Sequence, residues 1–180
     1  AILELRRRRN QIGNKFKKYI DDPIGFIEIE LGCSLTDPQK EIVESVWNNR
    51  TTNVQAAHGQ GKTYIAAMIV LAWLYVKRGL VITTAPTSRQ VKLLLWAEIR
   101  KAWPRGNLGG RGPDTMQLIV SEDVAAYGYT AEDTDENAFQ GVHHPKLLAI
   151  QDEASGITPA IDEGFQSCCS GVDNRMLRIG

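Results

Sequence analysis

The stretch "AAHGQGKT", residues 56–63, constrains the fold of this chain more than any other. It follows the short run "TNVQ" and precedes the apolar run "YIAAMIVLAWLYV", so a glycine-containing loop joins a predicted strand to a predicted helix. With Ala56 in place of the first glycine, the stretch matches the phosphate-loop (P-loop) pattern. Its small residues allow backbone N–H groups to surround a phosphate, and the following helix directs its positive dipole end there. We therefore predict a phosphate-binding loop; an ordinary strand-to-helix turn is the alternative.

The rest of the chain alternates between helical and strand-like patterns. Helices are predicted at residues 3–20, 36–49, 63–78 and 87–103, with Thr36 and either Thr87 or Ser88 as N-caps. Strands are predicted at "TNVQAA", "LVITTAP", "TMQLIVS", "KLLAIQDEA" and "RMLRIG". The acidic run that follows "TMQLIVS" is expected to be a surface excursion. This alternation predicts an α/β fold in which helices flank a mostly parallel central sheet.

Length and charge indicate one domain with an uneven surface. The chain has 180 residues, of which 43% are hydrophobic, enough for one ordinary core and too few for two full-sized domains. The net charge is zero, but residues 1–20 are strongly basic, whereas residues 112–145 contain seven acids and no Lys or Arg. We expect a basic N-terminal helix and lead-in segment at residues 1–34 and a P-loop domain at residues 35–180.

The cysteines and the apolar runs favour a reduced, intracellular location. Cys33, Cys168 and Cys169 show no metal-binding or CxxC spacing. The most apolar stretch, residues 64–76, is shorter than the ~20 residues that span a bilayer. The charged start of the chain does not resemble a signal peptide. We expect a protein that is neither secreted nor bound to a membrane.

Two acids end the predicted strand "KLLAIQDEA", at the edge of the sheet where ligands bind in open α/β folds. Lys62 is expected to contact the β- and γ-phosphates of ATP, and the Thr63 hydroxyl to be a ligand of Mg²⁺. Asp152 is expected to hold the same ion through water, and Glu153 to polarise the attacking water as a general base. Two acids that merely cap the next helix are the alternative.

A glutamine precedes the loop by 23 residues. Gln39, in "LTDPQ", carries an amide that both donates and accepts hydrogen bonds and is expected to read adenine; a solvated surface glutamine is the alternative. The predicted ATP-binding residues are Gln39, His58, Gly59, Gln60, Gly61, Lys62 and Thr63.

These residues resemble the large terminase subunits of tailed bacteriophages, the ATP-driven motors that package DNA into a procapsid. The likeness begins near Leu35 and includes "LTDPQ", "AAHGQGKT", "VITTAPTSRQVKLLLWAEIRKAW", "FQGVHHPKLLAIQDEASGI" and "RMLRIG", which is similar to the start of the family's coupling motif. "TAPTSRQV" is also similar to motif Ia of related helicases. The resemblance implies a RecA-like P-loop NTPase fold of the ASCE type and ATP hydrolysis coupled to translocation of double-stranded DNA.

The resemblance also implies partners and a location. Family members work as homo-oligomeric rings on a portal protein, with a small terminase subunit delivering DNA, in the host cytoplasm and transiently at the procapsid portal. Whether the isolated chain is a monomer is left open. In the family a nuclease domain with an RNase H-like fold follows the ATPase domain, and we expect it to lie outside this segment because Gly180 falls inside the expected coupling motif.

Two departures from the family pattern concern arginines. Many relatives carry an arginine within the phosphate loop, where this chain has His58 and Gln60. A second arginine, acting on a neighbouring subunit, often precedes the magnesium-binding acid, but this chain has none between Arg111 and Asp152. Arg105 and Arg111 are the candidates for this finger, and a solvated loop arginine is the alternative for each.

Two other functions share parts of the pattern. A superfamily 2 helicase or translocase would also use Gln39, Lys62, "TAPT" and the acid pair, although "DEAS" departs from the usual DEAD or DEAH. A non-hydrolysing nucleotide switch would bind ATP and a partner without turnover. Strand separation distinguishes the first from a packaging motor, and ATP turnover distinguishes the second.

Overall fold

The computed structural model describes residues 15–55, 61–130, 139 and 141–180. Residues 56–60 of the predicted phosphate loop lie outside these ranges, so the expectations for His58, Gly59 and Gln60 are not addressed by the structure. The first part of the predicted basic helix and most of the acidic excursion also lie outside the described residues.

Helices and strands alternate through the described ranges. The strands are β1 (Thr51–Val54), β2 (Leu80–Ala85), β3 (Gln117–Ser121), β4 (Val124–Thr130), β5 (Leu147–Gln151) and β6 (Arg175–Ile179). The α-helices are α1 (Pro23–Gly25), α2 (Asp37–Asn48), α3 (Lys62–Ala72), α4 (Trp96–Ala102) and α5 (Pro159–Cys168). Three π-helical segments adjoin them: Phe26–Glu30 after α1, Trp73–Lys77 after α3 and Gln90–Leu95 before α4. Three 3₁₀ turns lie at Lys17–Tyr19, Trp103–Gly106 and Ala154–Gly156.

The described strands form one six-stranded sheet in the order β1-β6-β5-β2-β4-β3. Every neighbouring pair is parallel except β3 with β4, which is antiparallel. The mostly parallel sheet predicted from the alternating pattern is therefore confirmed. Strand β5, which leads to Asp152 and Glu153, is central, whereas β1, which leads to the predicted phosphate loop, is an edge strand.

The sheet has a hydrophobic cluster on each face, as parallel sheets covered by helices do. Leu148 and Ile150 of β5 join a large cluster with α2, α3 and α4. Leu147 and Ala149 join a smaller cluster with α5 on the opposite face. Since successive strand residues point to opposite faces, the apolar run "LLAI" is the pattern that a strand buried on both sides requires.

The lead-in segment packs into the main core. Phe16, Phe26, Ile27 and Leu31 are fully buried in the same cluster as α3, and Trp47 Nε1 donates to the backbone oxygen of Ile20 at 2.8 Å. Most of the lead-in segment between Lys17 and Glu30 is helical. The division of the chain at residues 34 and 35 stays a prediction.

The expected surface excursion after β3 is wrong in its first part. Val124–Thr130 forms β4, which lies between β2 and β3 and buries Ala125 and Ala126. The sequence concealed this strand because two acids, Glu122 and Asp123, form the turn before it, and its small residues lack the bulky β-branched pattern of a typical strand.

Three further predictions concern a helix cap, the cysteines and membrane-spanning helices. Thr87, not Ser88, caps its helix: Thr87 Oγ1 accepts from the Gln90 N–H at 3.3 Å, and Gln90 Oε1 accepts from the Thr87 N–H at 3.0 Å. The three cysteines are buried and form no disulfide. Among the described helices, none has the length and apolar character needed to cross a bilayer.

Gly128 of β4 tests the packing of the strand that the sequence did not reveal. A Cβ at this position would lie 2.5 Å from Trp96 Nε1 and 3.0 Å from Val91 Cγ1, both in the buried core. Gly128→Ala should therefore lower the free energy of unfolding by about 1–3 kcal/mol, measured by denaturant unfolding. The control is Gly112→Ala in a surface loop, where the added methyl meets only the Trp103 ring at 3.2 Å. Equal stability of the two variants would contradict this packing.

Candidate functional site

The structure describes the end of the predicted phosphate loop, where α3 starts. Gly61, the residue before the helix, has φ 72° and ψ 27°, a left-handed conformation that glycine adopts without a steric penalty. Its carbonyl accepts from the Ile65 N–H at 3.0 Å, which begins the helix. The N–H groups of the first helical turn therefore lie at the carboxyl edge of the sheet.

Thr63 and Asp152 meet at this edge. Thr63 Oγ1 donates to Asp152 Oδ2 at 3.1 Å, which joins the first turn of α3 to the end of β5. The backbone N–H of Asp152 donates to Thr84 O at 2.9 Å, so pairing with β2 fixes the base of this side chain. The two residues predicted as magnesium ligands are thus in direct contact.

Asp152 is a buried carboxylate with spare bonding capacity. Only 1% of the residue is exposed, and Oδ1 accepts no hydrogen bond from any of the residues that the structure describes. Burial raises the pKa of Asp152, the Thr63 hydrogen bond opposes this rise, and the nearby Glu153 charge adds to it. A hydroxyl beside an incompletely bonded carboxylate is a hard-oxygen pair of the kind that Mg²⁺ prefers, so the residues fit the predicted ion.

Glu153 leaves the sheet in an unusual conformation. Its φ of 54° and ψ of 50° are left-handed, a region that residues other than glycine, asparagine and aspartate seldom enter. Its carbonyl accepts from the Gly156 N–H at 2.9 Å, which begins the 3₁₀ turn. The half-buried carboxylate thus follows the buried Asp152 directly, on a sharply turned backbone. Such strain is found most often at functional sites.

Lys62 lies at the same edge. The residue is buried at the first position of α3, and its Nζ donates to the backbone oxygen of Gly180, just after β6, at 2.9 Å. Its charge also acts on Asp152, where it lowers the carboxyl pKa against the larger effect of burial. The lysine predicted to contact phosphates is therefore close to Thr63 and Asp152.

Gln39 is buried, so the solvated-surface alternative for this residue is wrong. Its Oε1 accepts from the Thr36 N–H at 3.1 Å in a capping box at the start of α2. Its Nε2 lies against Gly61, where a Cβ would be only 2.8 Å away. Gln39 and Lys62 both line a cavity of about 440 Å³ between α2 and β1. A role in reading adenine stays a prediction.

The two finger candidates make their described contacts away from the acid pair. Arg105 contacts Cys33 Sγ at 3.9 Å and lies beside Tyr64, whose pKa is raised to about 12, mainly by burial. Arg111 lines a separate cavity with Asp114 and Gln117 near edge strand β3. A role in trans stays a prediction for both arginines.

Sequence reasoning missed a polar network on the other face of the sheet. Gln151, the residue before the acid pair, is 1% exposed and hydrogen-bonds to Asp162 of α5 and to Arg178 of β6. The available signal was a single glutamine that interrupts an otherwise apolar buried strand. A buried amide requires partners, and these lie 11 and 27 residues away in the sequence.

Comparison with known proteins adds independent observations. No family model matches the chain. A probable terminase large subunit of Enterobacteria phage P7 is 26% identical over 174 residues, which is 89% of this chain and 35% of that protein. Two solved structures of the large terminase from a thermophilic bacteriophage are also similar. One has a TM-score of 0.64 at 13% identity and covers 82% of this chain and 39% of its own. The other, in complex with ADP, has a TM-score of 0.62 at 13% identity, with 81% and 38% covered.

The chain is similar to phage large terminase subunits. The resemblance inferred from the sequence motifs is therefore confirmed, and so is the predicted fold class, a RecA-like α/β domain with helices on both sides of a mostly parallel sheet. The chain spans about 35% of the length of the terminase that it matches in sequence.

The buried Asp152 carboxylate should destabilise the protein in the absence of ligands. An ionised group with one oxygen lacking a described donor has lost hydration without full compensation. Asp152→Asn should therefore raise the melting temperature by about 2–4 °C without nucleotide or magnesium, equivalent to ~1 kcal/mol for a chain of this size.

Differential scanning fluorimetry measures this effect. Glu153→Gln is the control, because that half-buried carboxylate has lost less hydration, and its melting temperature should change by less than about 1 °C. A fall in the melting temperature of Asp152→Asn would contradict the inferred desolvation.

Proposed function

We propose that this chain is the ATPase part of a phage large terminase. In this proposal a RecA-like domain hydrolyses ATP with Mg²⁺ and couples hydrolysis to the movement of double-stranded viral DNA into a procapsid. The observation that carries the proposal is the contact between Thr63 at the start of α3 and the buried Asp152 at the end of β5. The similarity to phage large terminases, one of them solved with ADP, supports both the nucleotide and the biological setting.

The proposed binding site combines the start of α3 with the ends of β5 and β6. Thr63 and Asp152 would hold Mg²⁺, and Lys62 would bind the terminal phosphates in exchange for its bond to the Gly180 carbonyl. The ion, when bound, neutralises charge on the phosphate oxygens and aligns them for transfer. His58, Gly59 and Gln60 are assigned to the phosphate cradle from the sequence, with Gly61 closing it.

Glu153 is assigned the role of general base. Its carboxylate follows Asp152 directly and is half exposed, so it can meet an attacking water while Asp152 remains buried. The first N–H groups of α3 and the Lys62 ammonium supply positive charge where the transferred phosphoryl group would lie. Because phosphoryl transfer depends on positioning and charge stabilisation, these groups account for the main requirements of hydrolysis.

The remaining proposals concern assembly. By similarity to terminases, double-stranded DNA, a portal protein and a small terminase subunit are the proposed partners, and the working state is a homo-oligomeric ring. The proposed location is the host cytoplasm, with transient attachment to the procapsid portal. A ring would also allow an arginine such as Arg105 or Arg111 to act on a neighbouring subunit.

Glu153→Gln tests the assignment of the base. The amide retains the shape of the side chain but cannot accept a proton, so kcat should fall by about 100-fold or more while nucleotide affinity changes less than twofold. Phosphate release and the equilibrium binding of a fluorescent ATP analogue measure the two quantities.

Glu163→Gln on the exposed side of α5 is the matched control and should retain wild-type kcat. Hydrolysis by Glu153→Gln at the wild-type rate would refute the base. Tight ATP binding by the wild-type protein with no turnover under any condition would instead favour a nucleotide switch.

Stimulation by procapsids tests the motor itself. The ATPase rate should rise when portal-bearing procapsids and double-stranded DNA are added, and the protein should not separate a forked duplex. Procapsids without portals are the control. Efficient strand separation, without stimulation by portals, would refute packaging and indicate a helicase.

Gln39→Glu separates the two roles of this side chain. Glutamate also serves as the third residue of a capping box, so the cap is retained, and the new buried charge should lower the melting temperature by no more than about 2–4 °C. The substitution removes the amide donor beside Gly61, so ATP affinity should fall by about fivefold. Isothermal titration measures the affinity, and an unchanged dissociation constant would refute a role in ATP binding.

A further inference from the structure

The loop that carries the acid pair is closed at its base by side chains on the face of the sheet opposite α3. Gln151 ends β5, the loop runs through Asp152, Glu153 and the 3₁₀ turn, and α5 begins at Pro159. Gln151 Nε2 donates to Asp162 Oδ1, in the first turn of α5, at 2.9 Å. This bond joins the two ends of the loop.

A third residue, Arg178, bonds to both Gln151 and Asp162. Arg178 lies opposite Gln151 in the register between β6 and β5. Its Nε donates to Gln151 Oε1 at 3.1 Å, and its terminal nitrogen donates to Asp162 Oδ1 at 2.8 Å. Each of the three side chains therefore bonds to the other two, and we call Gln151, Asp162 and Arg178 the clamp.

The clamp has the features of a rigid unit. Gln151 is buried, and both ends of its amide are bonded. Burial raises the pKa of Asp162, but hydrogen bonds from Arg178, Gln151 and Gln166 outweigh it and hold this pKa below its usual value. Asp162 is therefore ionised at neutral pH, and charge-assisted bonds of this kind are stronger than neutral ones.

The bonds of the clamp are close enough in the chain to influence the backbone conformation of Glu153. The backbone of Asp152 is still tied to β2 through Thr84, but Glu153 has left the ladder in a left-handed conformation. Such a conformation persists only where its surroundings enforce it. Along the chain, Gln151 precedes Glu153, and the 3₁₀ turn that leads to Asp162 follows it. The clamp therefore joins the residues on both sides of Glu153. At the loop tip, Gly156 lies close to Pro86, where an added Cβ would be 2.6 Å from Pro86 Cγ.

We propose that Gln151, Asp162 and Arg178 are positioning residues that hold the loop after β5, and with it the Glu153 carboxylate, in the orientation required for water activation. This inference rests on the proposed ATPase function for its kinetic consequence. Its structural consequence, a loop held by the clamp, does not depend on that function. The three side chains lie on the face of the sheet opposite to Thr63 and Asp152.

Gln151→Met tests the clamp with little change in side-chain volume. Methionine cannot bond to either partner, while Arg178 and Asp162 remain paired with each other. We expect kcat for ATP to fall at least tenfold, with KM and the dissociation constant of a non-hydrolysable ATP analogue within twofold of wild type. Arg178→Lys, which retains the charge but can bond only one partner well, should give an intermediate fall.

The chain offers a matched control in Gln166→Met. Gln166 donates to Asp162 Oδ2 at 2.8 Å but lies exposed on α5 and does not touch Gln151. The same substitution at this position should leave kcat, KM and analogue binding within twofold of wild type.

Hydrogen exchange supplies a readout that needs no turnover. The Gly156 and Ile157 N–H groups donate within the loop, to Glu153 O and Ala154 O. Gln151→Met should accelerate exchange of these two amides at least tenfold, with exchange in β5 and α3 unchanged, whereas Gln166→Met should change neither.

The outcomes separate the clamp from the proposed function. A wild-type protein that does not hydrolyse ATP would refute the ATPase proposal. Amide hydrogen exchange in the loop would still show whether the clamp holds the loop. Unchanged exchange with kcat within twofold would overturn the clamp. It would also be overturned if exchange rose throughout β5 and α3 and nucleotide binding fell together with kcat, because the residues would then serve general stability alone.

Discussion

The burial of β5 on both faces is the constraint on which the rest of the structure depends. A central strand must present apolar side chains alternately to two clusters, and Leu147 to Ile150 meet this requirement. Where the apolar run ends, the same alternation sends Gln151 to one face and Asp152 to the other. One strand end thereby supplies both a residue that supports the following loop and a candidate magnesium ligand. The buried Asp152 is tolerable there because Thr63 reaches it from α3.

The carboxyl edge of the sheet gathers groups that are far apart in the sequence. Gly61 and Thr63 come from the start of α3, Asp152 from the end of β5, and Lys62 reaches the backbone just after β6. Gln39 joins them from α2, because its amide serves the helix cap with one end and lies against Gly61 with the other. Gly61 therefore has two reasons to be glycine, one conformational and one steric.

Local patterns predicted the parts of this arrangement that depend on local physics. The apolar run of β5, the cap at Thr36 and the glycine before Lys62 each reflect a requirement of a few adjacent residues, and the structure contains all three elements. Strand β4 was not predicted, because it is buried by its neighbours in the sheet and contains few bulky residues of its own. The partners of Gln151 were not predicted for the same reason, because Asp162 and Arg178 contact Gln151 only once α5 and β6 have packed. The burial of Gln39 likewise depends on the approach of α2 to the start of α3.

The order of the strands has a mechanical consequence. The predicted phosphate loop follows β1, and the two acids follow β5, but these strands are not neighbours: β6 lies between them and is paired to both. The distance between the ends of β1 and β5 therefore depends on β6 and on its two ladders. A shift of one residue in either ladder would exchange the side chains that face the two hydrophobic clusters. A change of register in either ladder would thus displace the start of the predicted phosphate loop relative to Asp152 and Glu153.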